Sequence, residues 1–308
     1  MDITKYGMQV FMKKHKLLLE VGKMNREIIE IDGQELRRYQ ECCLRMTMDF
    51  VQVCEKYRLE YSLSGGSILG AIRHKGFIPW DDDIDLNITR ASYNKLLDVF
   101  DKELGERYYI QTPKNSPEIG IMVTQIRKKN TVARRKYDWN LEHCGVSIDL
   151  YILENVFNDP IRKFIQKNMS MACSFAISAI RYCNNQNIPI ELLELEGRKL
   201  NYSKSKSVMG KIFSVILLKT WIGWCDYWNS ACKDKNSKIV AIPTGRKHFS
   251  GEMYERKEMC VFRKEQFETA QFNVPIHAEE YLTRFYGNYM EFPPVEKRER
   301  HLFLELEF

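Results

Sequence analysis

SGGSILGAIRHKGFIPWDDDIDLNITR, residues 64–90, is the stretch from which the rest of the chain can be read. Gly65, Gly66 and Ser67 open onto SILGAIRH (67–74), which has the look of a short helix. Gly76 and Pro79 then interrupt both the helical and the strand period, so KGFIPW (75–80) reads as a loop. DIDLNIT (83–89) alternates and reads as a strand. Successive side chains of a strand point to opposite faces. Asp81, Asp83 and Asp85 fall on one parity with Asn87, while Ile84, Leu86 and Ile88 fall on the other with Asp82. One face is acidic and the other apolar.

Carboxylates side by side repel, and without a counter-charge at least one pKa rises. A divalent cation removes that penalty, and an all-oxygen donor set suits Mg²⁺ or Mn²⁺. The plainer reading is a row of solvated edge charges, and the apolar, glycine-rich surroundings count against it. Glycines let backbone N–H groups approach a phosphate, and a helix N-terminus favours an anion. Gly65, Gly66 and Ser67 are therefore candidate substrate contacts. Arg73, His74 and Lys75 either bind the same phosphate or coat a helix end. Trp80 either stacks on a base or plugs the core, the core reading coming first.

Upstream, Leu36, Tyr39, Cys43, Met46, Phe50, Val53 and Tyr57 recur at steps of three and four, the apolar stripe of a long helix. Asp32 with Glu35 gives that helix a capping-box start. Downstream, 90–104 returns to helical spacing, and RYYIQT, IMVTQIRKK, TVARRKY and GVSIDLYIL are strand-like runs within 107–153. In VSIDLYIL (146–153) Val146, Ile148, Leu150 and Ile152 face one way, and Ser147, Asp149 and Tyr151 the other. If this strand pairs near DIDLNIT, Asp149 joins Asp83 and Asp85; alone it is an aspartate on a solvent-facing strand. Residues 160–232 are helical in pattern; 238–275 holds short strands, and a helix follows near AEEYLTRFYG. The expected organisation is a helical segment 1–34, a catalytic core 35–155, a helical segment 156–235 and a mixed segment 236–308. No Gly-, Ser- or Pro-rich linker separates them, so they are expected to pack as one α/β (α+β) body.

The composition is globular: 308 residues, 44% hydrophobic and 29% charged, which excludes extensive disorder. Forty-seven basic and 41 acidic residues leave a net charge of +6, too modest to argue for nucleic acid, and no base-reading motif accompanies it. The cysteine count, 9, is odd and no CxxC occurs, so the thiols read as buried and reduced, in a cytoplasmic protein. The N-terminus lacks the apolar run of a signal peptide, and IFSVILLKTWIGW (212–224) contains Lys219 and is short for a membrane span. Lys204, Lys206, Lys211 and Lys219 lie among Ile212, Phe213, Leu217, Trp221 and Trp224. That pattern fits either a peripheral helix at the inner face of the plasma membrane or an ordinary helix buried on one side.

GGSILGAIRHKGFIPWDDDIDL resembles the signature of the LicD family, which includes phosphocholine transferases and fukutin-type phosphotransferases on a nucleotidyltransferase-like fold. CGVSIDLYIL (144–153) is similar to the family's second motif and YLTRFYGNYMEFPPVEKRERH (281–301) to its C-terminal one. The resemblance covers residues 35–155 and 250–301. It departs from the family pattern at Tyr151-Ile152, where Phe-Pro is common, and at Asn288, where Asp is common. What the resemblance implies is a mixed sheet flanked by helices, with a helical insertion and a C-terminal extension. It further implies transfer of an alcohol phosphate, phosphocholine or ribitol phosphate, from a CDP-alcohol donor to a hydroxyl of a glycan or lipid-linked glycan, with release of CMP. Asp83, Asp85 and Asp149 would be the catalytic and metal-holding residues, with Mg²⁺ or Mn²⁺. Gly65, Gly66, Ser67, Arg73, His74, Lys75 and, more distantly, Arg127 would bind the donor. Arg298 and His301 would either close over the site or sit at the surface. The competing readings are transfer of NMP from an NTP on the same triad and a catalytically silent binding protein of the same fold.

Overall fold

The computed structural model describes residues 29–135, 138, 141, 143–184, 204–295, 298 and 302–308. The expected N-terminal helical segment and His301 lie outside the described residues, apart from 29–34. The apolar stripe forms helix α1, Gly33–Tyr57, and Leu36, Tyr39, Cys43, Met46, Phe50 and Val53 are all buried. Asp32 occupies the N-cap position but its side chain makes no capping hydrogen bond. Gly33 enters the helix at φ +49, outside the helical region, so the geometry a capping box needs is not present. The helix ends at Arg58 in the left-handed region, its N–H returning to the carbonyls of Cys54 and Glu55.

Strand β2, Tyr61–Leu63, leads into a short helix α2, Gly65–Leu69, which continues as a π-turn over Gly70–His74. Strand β3, Asp85–Thr89, starts two residues later than its alternation suggests, with Asp83 and Ile84 in the approach. The side-chain parity nevertheless extends back to Asp81, with Ile84, Leu86 and Ile88 fully buried. Thr89 caps helix α3, Arg90–Glu103, by accepting from the Ser92 N–H. Strands β4 (Tyr108–Gln111), β5 (Thr124–Lys128), β6 (Val132–Arg135) and β7 (Ser147–Val156) follow.

The central sheet runs in the order β2-β3-β7-β5-β4. Only the β3–β7 pair within that path is parallel, and its register sets Asp85 beside Asp149. On the other side of β7, antiparallel β5 sets Gln125 beside Asp149. The apolar parity of β3 and β7 joins the α1 stripe in one core. Strand β7 is long enough, at 10 residues, to serve twice. Its second half pairs with β8 (Ile239–Ala241), which pairs with β9 (Met253–Glu255).

Between β7 and β8 lie α4 (Pro160–Asn184), α5 (Lys204–Phe213) and α6 (Leu218–Asn229). Helices α4 and α6 share a small separate cluster around Cys173, Ile177, Ile222 and Cys225. Among the described residues no single helix is long and apolar enough to cross a membrane. The short helices α7 (His248–Gly251) and α8 (Arg256–Met259) precede a hairpin of β10 (Phe262–Phe267) and β11 (Ala270–Pro275). Helix α9 (Ala278–Tyr286) and strand β12 (Leu302–Glu307) end the chain, β12 pairing with β6 and with β1 (Ile29–Glu30). All nine cysteines are free.

Candidate active site

The acidic face of β3 and β7 opens into a cavity of about 650 Å³ whose floor carries Asp81, Asp83, Asp85 and Asp149. Two backbone hydrogen bonds and one from a side chain to the backbone fix their segments. Ser64 N–H donates to the Asp85 carbonyl at 2.9 Å, and Asp149 N–H donates to the Ile84 carbonyl at 3.1 Å. Gln40 Nε2 donates to the Asp81 carbonyl at 2.8 Å. Carboxylate oxygens of Asp81, Asp82 and Asp83 lie within 4.8 Å of one another. Asp82 is buried beneath this group and faces Arg135 at 3.7 Å.

The cluster is electrostatically strained in the way clustered carboxylates must be. Burial, then the charges of Asp83 and Asp82, pushes Asp81 well above the carboxylate range. Burial, then Asp83 and Asp149, does the same to Asp85. Asp149 is also raised by burial, against the hydrogen bond from Gln125 and the charge of Arg135. Arg135 is the counter-charge. Burial disfavours its cation, yet Asp82, Tyr39, Asp83 and Asp149 together hold its pKa above the ordinary guanidinium value. At the acids themselves Arg135 is the facing cation, and the ligand atoms that Asp81, Asp83, Asp85 and Asp149 offer are all carboxylate oxygens, the donor chemistry that Mg²⁺ and Mn²⁺ select.

Gly65 and Gly66 stand directly over the carboxylates. Gly65 adopts φ +47, and a Cβ there would lie 3.2 Å from Asp85 Oδ2. A Cβ on Gly66 would lie 3.2 Å from Asp81 Oδ2. Only glycine leaves the helix start open to a ligand above the acids. Ser67 is placed differently: its buried Oγ accepts the Asp85 N–H at 2.9 Å, so it fixes the start of β3 from behind.

Arg73 lines the cavity with its guanidinium 4.9 Å over the Phe292 ring, and Nη1 donates to the carbonyls of Tyr289 and Glu291. His74 stands behind it, accepting from Arg73 Nε at 2.9 Å, and burial with the Arg73 charge lowers its pKa. Lys75 points away, exposed and paired with Glu265 at 3.3 Å. Arg127 is buried at 2% exposure and does not reach the cavity. It pairs with Asp138 at 3.1 Å and donates to Gln125 Oε1 at 2.7 Å. Gln125 Nε2 in turn donates to Asp149 Oδ1 at 2.7 Å, so Arg127 acts on the site through Gln125.

The remaining cations come from distant segments: Arg135 on β6, Arg246 before α7, and Arg298. Arg298 lies 4.1 Å from the Trp80 ring centroid, so the Trp80 face turns toward the cavity while its edge rests on the core. Tyr151, Tyr281, Phe285, Tyr286 and Tyr289 complete an aromatic wall, with Asn288 among them. Glu252 lines the opposite rim, its Oε1 accepting the Lys247 N–H at 2.8 Å. Burial raises its carboxyl to about 7. Sequence periodicity does not single out Arg135, Arg246 or Glu252. Of Arg134 and Arg135, the residue that turns inward is set by β12, which engages Arg134 through Glu305 at 2.9 Å.

Known proteins match this arrangement. Residues 58–151, which run from the end of α1 through the Asp149 strand, match the family described as LicD/FKTN/FKRP, nucleotidyltransferase domain. Over 268 residues the chain is 30% identical to the lipopolysaccharide cholinephosphotransferase LicD of Haemophilus influenzae, covering 86% of this chain and 95% of that protein. A 51-residue stretch is 49% identical to the human ribitol 5-phosphate transferase FKRP, covering 15% of this chain and 10% of that one. An uncharacterized protein, RP689, of Rickettsia prowazekii is 30% identical over 120 residues, 36% of this chain and 44% of that one. With the acidic strand pair, the glycine-led helix and near-complete coverage of one relative in agreement, the chain belongs to the LicD family.

Proposed function

We propose that the protein transfers an alcohol phosphate of the phosphocholine type from a CDP-activated donor to a glycan hydroxyl, with CMP as the leaving group. The observation that carries this reading is the convergence of Asp83, Asp85 and Asp149 on the floor of one arginine-lined cavity. Transfer of an alcohol phosphate is common to the names of the two relatives, and the name of the one matched over most of its length also gives lipopolysaccharide as the acceptor. The aromatic wall favours phosphocholine over ribitol phosphate. A quaternary ammonium cannot donate hydrogen bonds, and aromatic faces attract it at close range. Tyr151, Tyr286 and Tyr289 line the cavity with the acids, while Tyr281 is stacked beneath on Phe285.

Asp83, Asp85 and Asp149 would hold Mg²⁺ or Mn²⁺, which when bound neutralises charge on the diphosphate and its leaving group. The chain's own residues do the rest. Backbone N–H groups at Gly65 and Gly66, at the start of α2, face the donor phosphates, and Arg73 and Arg135 add positive charge. The acceptor oxygen forms a bond to the phosphorus that carries the alcohol. The bond from that phosphorus to the bridging oxygen breaks, and CMP leaves with the oxygen. Asp149 either completes the metal-holding set or takes the proton from the acceptor hydroxyl.

The test is CMP release from CDP-choline and other CDP-alcohols, with Mg²⁺ or Mn²⁺ and with Asp83→Ala as control. Metal-dependent release, lost by roughly 10³-fold or more in Asp83→Ala, is expected, since preorganised electrostatics of this kind carries factors of that size. Release that survives the substitution, or pyrophosphate release from an NTP in its place, contradicts the reading.

A further inference from the structure

Twelve of the twenty large apolar side chains exposed among the described residues lie between 161 and 227, in the helical insertion. The densest part is the elbow between α5 and α6. Ser205–Phe213 and Leu218–Asn229 meet there at a bend of 94°. At the tip Val215 is 88% exposed and Leu217 64%. The elbow is firmly built. Trp221 Nε1 donates to the Phe213 carbonyl at 3.0 Å across the bend. Rings then follow without a break from Phe175 to Phe213 at 6.1 Å, to Trp221 at 5.5 Å and to Trp224 at 5.1 Å. Phe175 and Trp224, at the ends of that row, are both exposed.

Along the described helices of the insertion ahead of Asp226 the charge has one sign. Residues 160–184 and 205–225 contain seven Lys and Arg and no Asp or Glu. Lys211 and Lys219 flank the tip and are exposed. Asp226, the next acid, is turned inward onto Arg90 and Lys114. An apolar tip flanked by two exposed lysines, with an exposed tryptophan on α6, fits the headgroup region of an anionic bilayer. It does not fit a membrane span. Helix α6 has 12 residues, about 18 Å at the α-helical rise, against roughly 30 Å of hydrocarbon. The right-angle bend prevents α5 from adding its length.

We infer that the α5–α6 elbow is a monotopic membrane-docking surface for an anionic phospholipid bilayer, with Val215 and Leu217 entering the acyl boundary and Lys211 and Lys219 on the headgroups. The inference rests on the surface of the insertion and not on the transfer reaction.

The experiment is co-sedimentation of the full chain with phosphatidylglycerol-containing vesicles and with neutral phosphatidylcholine vesicles. Val215→Asp/Leu217→Asp and Lys211→Glu/Lys219→Glu are the variants. Binding to the anionic vesicles is expected to exceed binding to neutral ones. The apolar double variant is expected to lose about tenfold or more. Each lysine near the surface contributes about fivefold, so reversing two loses at least 25-fold. Wild-type protein that ignores anionic vesicles overturns the inference, and so does binding that the elbow variants leave intact. A concentration-dependent dimer abolished by Val215→Asp/Leu217→Asp assigns the face to a second copy and also overturns it. Unchanged thermal transitions and unchanged CMP release from the soluble donor show that the variants are folded, and keep failure here distinct from failure of the proposed reaction.

Discussion

Gln125 decides how Asp149 is presented. A glutamine amide can point either end at a neighbour, but a guanidinium only donates. Arg127 Nη2 therefore claims Gln125 Oε1, with Gln111 Nε2 also donating to it at 3.2 Å, and the amide nitrogen is left facing Asp149. Asp149 Oδ1 is held in place by this chain. Gln125→Leu roughly keeps the volume and removes the donor, and with Asp149 holding metal as proposed it is expected to lower kcat/KM by roughly 10–100-fold, the usual cost of losing a partner behind such a carboxylate. Circular dichroism should stay close to wild type, the thermal transition should fall because Arg127 and Gln111 lose their acceptor, and the Mn²⁺ concentration for half-maximal activity should rise; an unchanged Mn²⁺ dependence would refute the role. Glu252 gives a second test at this scale. Its carboxyl is raised to about 7 by burial, so between its unfolded value near 4.5 and about 7 the folded state binds the extra proton. Its contribution to stability is present at the acid end of that window and falls as pH rises. Glu252→Gln should flatten the fall of thermal stability between pH 5 and 7, read by calorimetry in metal-free buffer; a slope equal to wild type would rule this out. Parity in DDDIDL and SIDLYIL already put Asp81, Asp83, Asp85 and Asp149 on the cavity side, because period-2 alternation is local. The placements of Ser67, Lys75 and Arg127 were not legible there. Each depends on a partner far along the chain: Asp85, Glu265 and Asp138 with Gln125.

At the scale of elements, β7 is the organising strand. It carries Asp149 beside Asp85 in its first half and receives β8 in its second, so the triad and the return from the helical insertion hang on one segment. The insertion is tied to it by charge. Glu154 on β7, at 1% exposure, takes both Nε and Nη2 of Arg90 from α3, and Arg90 Nη2 reaches Asp226 of α6 at 2.9 Å. Burial raises Glu154 against the pull of Arg90. Burial also opposes the Asp226 charge, and there Arg90 and Lys114 outweigh it and lower the pKa. Glu154→Ala leaves Arg90 with Asp226 as its remaining partner, so it is expected to cost about 1–3 kcal/mol in urea unfolding. A cost below 1 kcal/mol would show that the tie carries little of the fold. The long helices and the strand order of appearance were legible from period and length. The capping box was not a reliable guide, because Gly33 enters at positive φ, and the neighbours of β7 follow from pairings such as Asp85 with Asp149, Gln125 with Asp149 and Glu154 with Ala241 that periodicity does not encode.

At the scale of the whole molecule, the cavity is a joint product of segments that the sequence keeps apart. The acids come from residues 81–85 and 149, one counter-charge from Arg135, a rim from 242–252 and the aromatic wall from 281–294. Strand β12 closes the circuit by pairing with β6, whose last residue is Arg135. Such a cavity brings an acidic floor, a cationic rim and an aromatic wall together, and the proposed CDP-alcohol donor has a portion to set against each. The most direct test follows both phosphorus atoms of CDP-choline by ³¹P NMR during turnover with a glycan acceptor and Mn²⁺-free Mg²⁺ buffer. The choline-bearing phosphorus is expected to move to the acceptor as a phosphodiester while the other appears as CMP. Transfer of the cytidine-bearing phosphorus, with free phosphocholine as the other product, would make the protein a nucleotidyltransferase and contradict the account.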